Sequence, residues 1–215
     1  MIGCKTNSTE IKTNTQLCEM AKLMKNRLLL SHVHLSMMLV HFYRREYMSV
    51  LELNEQHGAE GVKQILDFFR VFFSGVSAMN LARHTAARGS KKLRGMGEKC
   101  TKIMTQLCYH SSWNFENKLH LLQAELHYLN EDIVAANTSY TNSIASAREH
   151  QFLHEEALAY ELHGIFLIEN KLVDMGMEQL MMSATKYAEW GAEMKVRDVV
   201  SFMDLVKGTI TRKLR

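Results

Sequence analysis

The sequence predicts an all-α protein, an antiparallel array of helical hairpins coiled into a short right-handed α-solenoid, and three observations carry that prediction. The 215 residues contain no proline, where usage of about 5% would place on the order of ten. Proline removes a backbone donor and clashes inside helices, so its absence suits a chain that is helical nearly throughout. Leu, Met, Ala, Glu and Lys, all good helix formers, dominate, and long runs of alternating β-branched residues are missing. Finally, the chain echoes itself 40 positions apart: Leu122, Ala124, Asn130, Ala136 and Ser143 reappear as Leu162, Gly164, Asn170, Gly176 and Ser183. Small residues in register let two helix backbones approach, and the bulky residues between them fill the remaining space. Arrays of this kind bind or scaffold, so the pattern points away from an enzyme.

The elements follow in order. Residues 1–15, polar and rich in Thr and Asn, read as a frayed or disordered lead-in. A repeat domain over 16–208 begins with a pair at 16–57. Its long helix runs from Gln16 to Arg44 with Leu17, Met20, Leu23, Met24 and Leu28 on one stripe, and its shorter partner Tyr47–Gln56 ends at His57-Gly58. The second pair, 60–109, passes through Ile65, Leu66, Phe68, Phe69, Phe72 and Phe73 to about Ala87; Arg88-Gly89-Ser90 then breaks it, with Ser90 as N-cap of a helix from Lys91 to Tyr109. After a loop at His110–Asn114 come a third pair at 115–150 and a fourth at 152–189. They turn at Asn130-Glu131 and Asn170-Lys171, where asparagine is expected to take the left-handed conformation. A terminal helix, 192–207, leads into a basic tail, 209–215, that holds Arg212, Lys213 and Arg215.

Net charge is +3, too mild by itself to indicate nucleic acid or membrane. Cys4, Cys18, Cys100 and Cys108 form no C-x-x-C pair, which favours reduced thiols in an intracellular, cytoplasmic protein. Met1 to Gln16 lacks the apolar segment of a signal peptide. The apolar stretch Leu28–Phe42 is broken by His32, His34 and His41 and falls short of the roughly 20 residues that a membrane span needs. It reads as a buried helix.

The phrase Asn114-Phe115-Glu116-Asn117-Lys118-Leu119-His120-Leu121-Leu122-Gln123-Ala124-Glu125 resembles the N-F-x-x-K-x-x-L-L-x-A-E phrase of a tetratricopeptide-like helical segment. That segment lies downstream of the ATPase module in very large multisensor protein kinases and hybrid histidine kinases. Ala145 to Phe152, Glu155 to Leu162, and Trp190-Gly191-Ala192 to Lys195-Val196 are similar to its later phrases in the same order, and Phe72 to Ala78 resembles the phrase that opens its preceding helix. The resemblance covers roughly residues 20–200 and implies a TPR-like solenoid in a signalling context, either a piece of a larger kinase or a stand-alone helical segment. It implies no catalytic residue: no G-x-x-x-x-G-K-[ST], H-R-D or D-F-G is present.

His120, Gln123, His127 and His163 fall on first helices of the repeat and could line a groove. An interface or partly buried histidine is a commoner role than a catalytic base. The segment from Arg83 to Lys102 holds Arg83, Arg88, Lys91, Lys92, Arg94, Lys99 and Lys102 against Glu98, a local charge of +6. Such a patch can neutralise phosphates, but it carries no aromatic residue for base stacking, and a solvated face or an acidic protein partner is the stronger reading. His150, His154 and Glu155 have a spacing that could hold a metal if one helix ran through them; surface or capping histidines are favoured. Glu125 and Glu161, inside apolar helices, read as inter-repeat salt bridges or hydrogen bonds, Cys100 and Cys108 as core residues. The stripe of Met175, Met177, Met181, Met182, Phe166 and Tyr187 reads as packing between helices. The expected function is a non-catalytic scaffold that needs no cofactor or metal and binds a protein partner or a neighbouring ATPase or kinase domain. Binding of nucleic acid or an acidic ligand through 83–102 is the alternative, and an enzyme with a metal or carboxylate site is third.

Overall fold

The computed structural model describes residues 16–57, 67–85 and 87–213, and every regular element among them is an α-helix. The chain divides into two compact units, Met1–Cys100 and Thr101–Arg215.

The first unit contains α1 (16–23), α2 (Arg27–Tyr43), α3 (Tyr47–His57), α4 (Asp67–His84) and most of α5 (Ala87–His110). The expected long helix to Arg44 is thus two helices. Lys25 takes φ 50°, its N–H donates to Lys22 O and the Asn26 N–H to Ala21 O, and the Asn26 side chain caps α2 by accepting from the Leu29 N–H at 3.0 Å. The break disperses the anticipated stripe: Leu23 is 83% exposed and Met24 66%, while Cys18 and Ala21 are buried instead.

The core of α2–α4 is aromatic. Phe42 lies 4.6 Å from Phe73 between ring centroids and contacts Tyr47 and Phe72 as well. Arg70, itself buried, donates to Asp67 at 3.2 Å and reaches Asn54 of α3 at 3.0 Å. Ile65 and Leu66 lie outside the described residues. The break expected at Arg88-Gly89-Ser90 is absent, and these residues are helical. Ser90 is not an N-cap: its hydroxyl donates to Ala82 O of α4 at 3.2 Å. Glycine lowers helix stability without forbidding it. At Gly97 a Cβ would lie 2.4 Å from Met79 Cγ, so the glycine there lets α4 and α5 close on one another.

The second unit holds α6 (Ser112–Leu129), α7 (Ile133–Glu149), α8 (Leu153–Glu169), α9 (Val173–Glu189) and α10 (Glu193–Lys213). The expected loop at 110–114 is mostly the first turn of α6, and α10 runs through the predicted end at 207 to Lys213. Helices α7, α8 and α9 each span 17 residues. Between them the same stop recurs every twenty residues, with positive φ at Glu131, Gln151, Lys171 and Gly191. At each, that residue's N–H donates three positions back and the next N–H five back, as with Glu131 to Tyr128 O and Asp132 to His127 O. The left-handed residues are therefore Glu131 and Lys171; Asn130 and Asn170 keep φ near −90°. Asn170 serves differently, donating its side-chain amide to Phe166 O at 2.8 Å.

Each of α7 to α10 packs against the helix before it, and α6 also touches α8. The echo has a direct structural counterpart: Ser143 Oγ donates to Asn117 O at 2.8 Å, and forty residues on Ser183 Oγ donates to Ala157 O at 2.9 Å. Where the first repeat has Ala124 and Ala136 the second has Gly164 and Gly176, and α8 and α9 come closest there. A Cβ on Gly164 would sit 2.9 Å from Gly176 O, and one on Gly176 would sit 2.8 Å from Gly164 O. Among the described residues no helix is long and apolar enough to cross a membrane.

Candidate interaction surface

Charged side chains inside the second unit form a lattice that links each helix to its neighbours. Lys118 of α6, 4% exposed, meets Glu155 of α8 at 2.7 Å, and the Asn117 amide donates to the same carboxylate. Burial would raise the Glu155 pKa, but the hydrogen bond from His154 and the Lys118 ammonium outweigh it and hold the carboxyl below its ordinary range. Lys195 of α10 meets Glu161 of α8 at 2.7 Å, and Tyr187 of α9 donates to the other oxygen of that carboxylate at 2.6 Å. Glu125 accepts from Tyr140 at 2.6 Å. Arg148 donates to Glu156 at 2.9 Å and to Tyr160; the bond to Glu156 raises the guanidinium's affinity for its proton.

These carboxylates are thus engaged in holding helices together. Glu161 pairs with Lys195 of α10, beyond its own hairpin as the sequence suggests, whereas Glu125 accepts from Tyr140 of its own hairpin, so the two carboxylates take separate partners. Sequence reasoning missed the cationic partners Lys118 and Lys195, since a lysine on an amphipathic helix reads as solvent-facing. One signal was available: both occupy lysine positions in the phrases that carry the resemblance.

His120, Gln123 and His127 lie on one face of α6, all half-buried, with His120 Nδ1 3.2 Å from Gln123 Oε1. His163 does not join them on a surface. It is 6% exposed, Nε2 is 2.9 Å from Asn137 Oδ1 of α7, and its ring stacks on Tyr140 at 5.2 Å. Burial lowers its pKa to about 4, against a smaller raising effect of Gln179, so it is neutral at pH 7. The forty-residue register makes the reason visible: the face of α8 that corresponds to His120 and Gln123 carries Tyr160 and His163, and α7 covers it through Arg148 and Asn137.

In the basic segment, Arg83 is half-buried at the end of α4, Lys91 and Lys92 are exposed on α5, and Arg94 is half-buried. The Arg88 side chain lies outside the described ones. Lys92 reaches Glu55 of α3 at 3.4 Å, with both side chains largely in solvent.

His150 and His154 do not share a helix face, because the left-handed Gln151 separates α7 from α8. Each histidine instead packs on a tryptophan, His150 on Trp113 at 4.1 Å and His154 on Trp190 at 5.3 Å. Cys100 is a buried free thiol whose pKa burial pushes up to about 11, while Cys108 is only half-buried. The methionine stripe divides: Phe166 and Tyr187 are fully buried, but Met175, Met181 and Met182 are exposed on α9. Compared with known proteins, the chain matches no family model, no curated protein and no solved structure.

Proposed function

We propose that this chain is a non-catalytic helical-repeat scaffold, a short right-handed TPR-like solenoid that mediates protein–protein or interdomain contact in an intracellular signalling system. The observation that carries the reading is the paired hydrogen bond of Ser143 to Asn117 O and Ser183 to Ala157 O, the same inter-helix contact repeated at a forty-residue displacement. Contact between α6 and α8 supports it too, since in a solenoid alternate helices stack side by side. The kinase or ATPase context rests on the quoted phrases alone. Engagement of Glu125, Glu155, Glu156 and Glu161 in helix–helix pairing favours a structural role for them over an acid–base role.

The half-buried α6 face of His120, Gln123 and His127 is the surface assigned to the partner. The test is capture of binding partners from the native cell with the full chain, alongside the variant His120→Ala/Gln123→Ala/His127→Ala. A kinase- or ATPase-domain protein retained by the wild type and lost by an equally folded variant is the expected result. If retained proteins include no such domain, the signalling context falls; if the variant retains the same partner, the assignment of the surface falls.

A further inference from the structure

The outer face of α5 exposes Lys91, Lys92 and Lys99 against Glu98, and its composition selects a partner. Gly97 and Cys100 turn inward, while Lys91, Lys92, Gly95, Glu98 and Lys99 are exposed on the other side. Lys92, Gly95 and Lys99 recur at three- and four-residue steps and so form one stripe along the axis. Gly95 has no internal explanation: a Cβ there would meet nothing within 4 Å. An exposed mid-helix glycine costs up to about 1 kcal/mol relative to alanine, and its effect here is to leave a gap between two lysines where another backbone can approach. The Lys92 contact with Glu55 demonstrates that a carboxylate from an adjacent helix reaches this stripe. An exposed pair of this kind is weak and open to exchange.

We propose that this face of α5 docks an acidic α-helical segment of a partner protein, whose carboxylates pair with Lys91, Lys92 and Lys99 while its backbone seats over Gly95. A protein helix fits better than a nucleic acid on two grounds. No aromatic side chain on the stripe offers a base a stacking surface. Glu98 sits at the stripe's rim, where it repels a phosphate chain but can pair with a basic residue of a protein partner. The inference builds on the protein-interaction reading but uses a different helix, so the two can fail separately.

Fluorescence anisotropy with the full chain tests it. The probe is an alanine-based peptide with glutamates at i, i+4, i+7 and i+11; the controls are a peptide of equal composition with its glutamates spread around the helix, and an RNA or DNA duplex of equal charge. The striped peptide is expected to bind tightest, and to weaken between 50 and 200 mM salt, roughly the range over which exposed pairs become screened. The variant Lys91→Glu/Lys92→Glu/Lys99→Glu should bind it about tenfold more weakly or worse. Gly95→Gln, with a better helix former, should melt at a higher temperature yet bind about threefold more weakly. Equal binding of the two peptides, tighter binding of the duplex, or full affinity in the charge-reversed variant overturns the proposal. None of these outcomes touches partner capture through α6, which decides the scaffold reading independently.

Discussion

Helices α2–α4 meet through rings, Phe42 against Tyr47, Phe72 and Phe73, whereas α6–α10 meet through small residues and buried ion pairs such as Lys118–Glu155 and Lys195–Glu161. Aromatic contacts supply area and tolerate small shifts, because a ring can tilt and still touch its neighbours. A buried lysine and carboxylate do not: displaced by one residue, each is left without its counter-charge in a medium that solvates neither. The second unit therefore fixes helix register mainly by polarity, while the first relies on bulk and on one buried polar link, Arg70 to Asp67 and to Asn54 of α3.

The comparison breaks most sharply at the ion pairs. Lys195→Ala or Lys118→Ala leaves a buried carboxylate uncompensated and should lower stability by about 3–5 kcal/mol, read from the urea midpoint of the purified chain. Next comes acid. His163 titrates at about 4 in the folded chain against an ordinary 6.5, so below pH 6.5 the unfolded chain takes up a proton that the folded chain refuses. Stability from this group is complete above pH 6.5, declines as pH falls and is lost by about pH 4, a change of about 3 kcal/mol. His163→Gln should flatten urea midpoints over that range, and an unchanged profile would remove the histidine from the account. Glu155, held low, adds its own loss at more acid pH.

Gly176→Ala should cost about 1–3 kcal/mol, because its Cβ meets Gly164 O and the Ile168 side chain rather than a yielding neighbour. In the aromatic region, Phe73→Leu should cost less than about 1.5 kcal/mol as its neighbours repack. A larger loss would mean that the rings are as position-specific as the ion pairs. Finest of all, Ser143→Ala and Ser183→Ala should each cost about 1 kcal/mol and agree with one another, as equivalent positions must. Thermal melts that separate them clearly would show the two repeats to be unequal in energy though alike in geometry.

Helices were most legible where apolar periodicity ran to a turn; α8 and α9 fill the fourth pair expected at 152–189. The stops were harder. Lys25 and Arg45 end helices in the left-handed conformation with no glycine to announce them, whereas Gly89, which looks like a break, lies inside α5. Local chemistry sets a preference of about 1 kcal/mol at such positions, and tertiary packing overrides it. The basic residues of α5 were visible in the sequence. The burial of His163, Lys118 and Lys195 was not, because it depends on which helix comes to cover each, and single-helix patterns carry no information about that.

The twenty-residue spacing of stops has a consequence for how the chain folds during synthesis. Its lattice closes only short spans: Tyr140 to Glu125 across 15 residues, Ser183 to Ala157 across 26, Lys195 to Glu161 across 34, Lys118 to Glu155 across 37. Loop-closure entropy at such lengths is small, and local topologies fold in microseconds to milliseconds, far faster than a ribosome adds the roughly 5–20 residues per second that would make the next helix. Each new helix can thus dock on a completed one as it emerges, so that Lys118 waits for α8 and Glu161 for α10, and a pause or truncation between stops leaves a shorter stack rather than a tangled one.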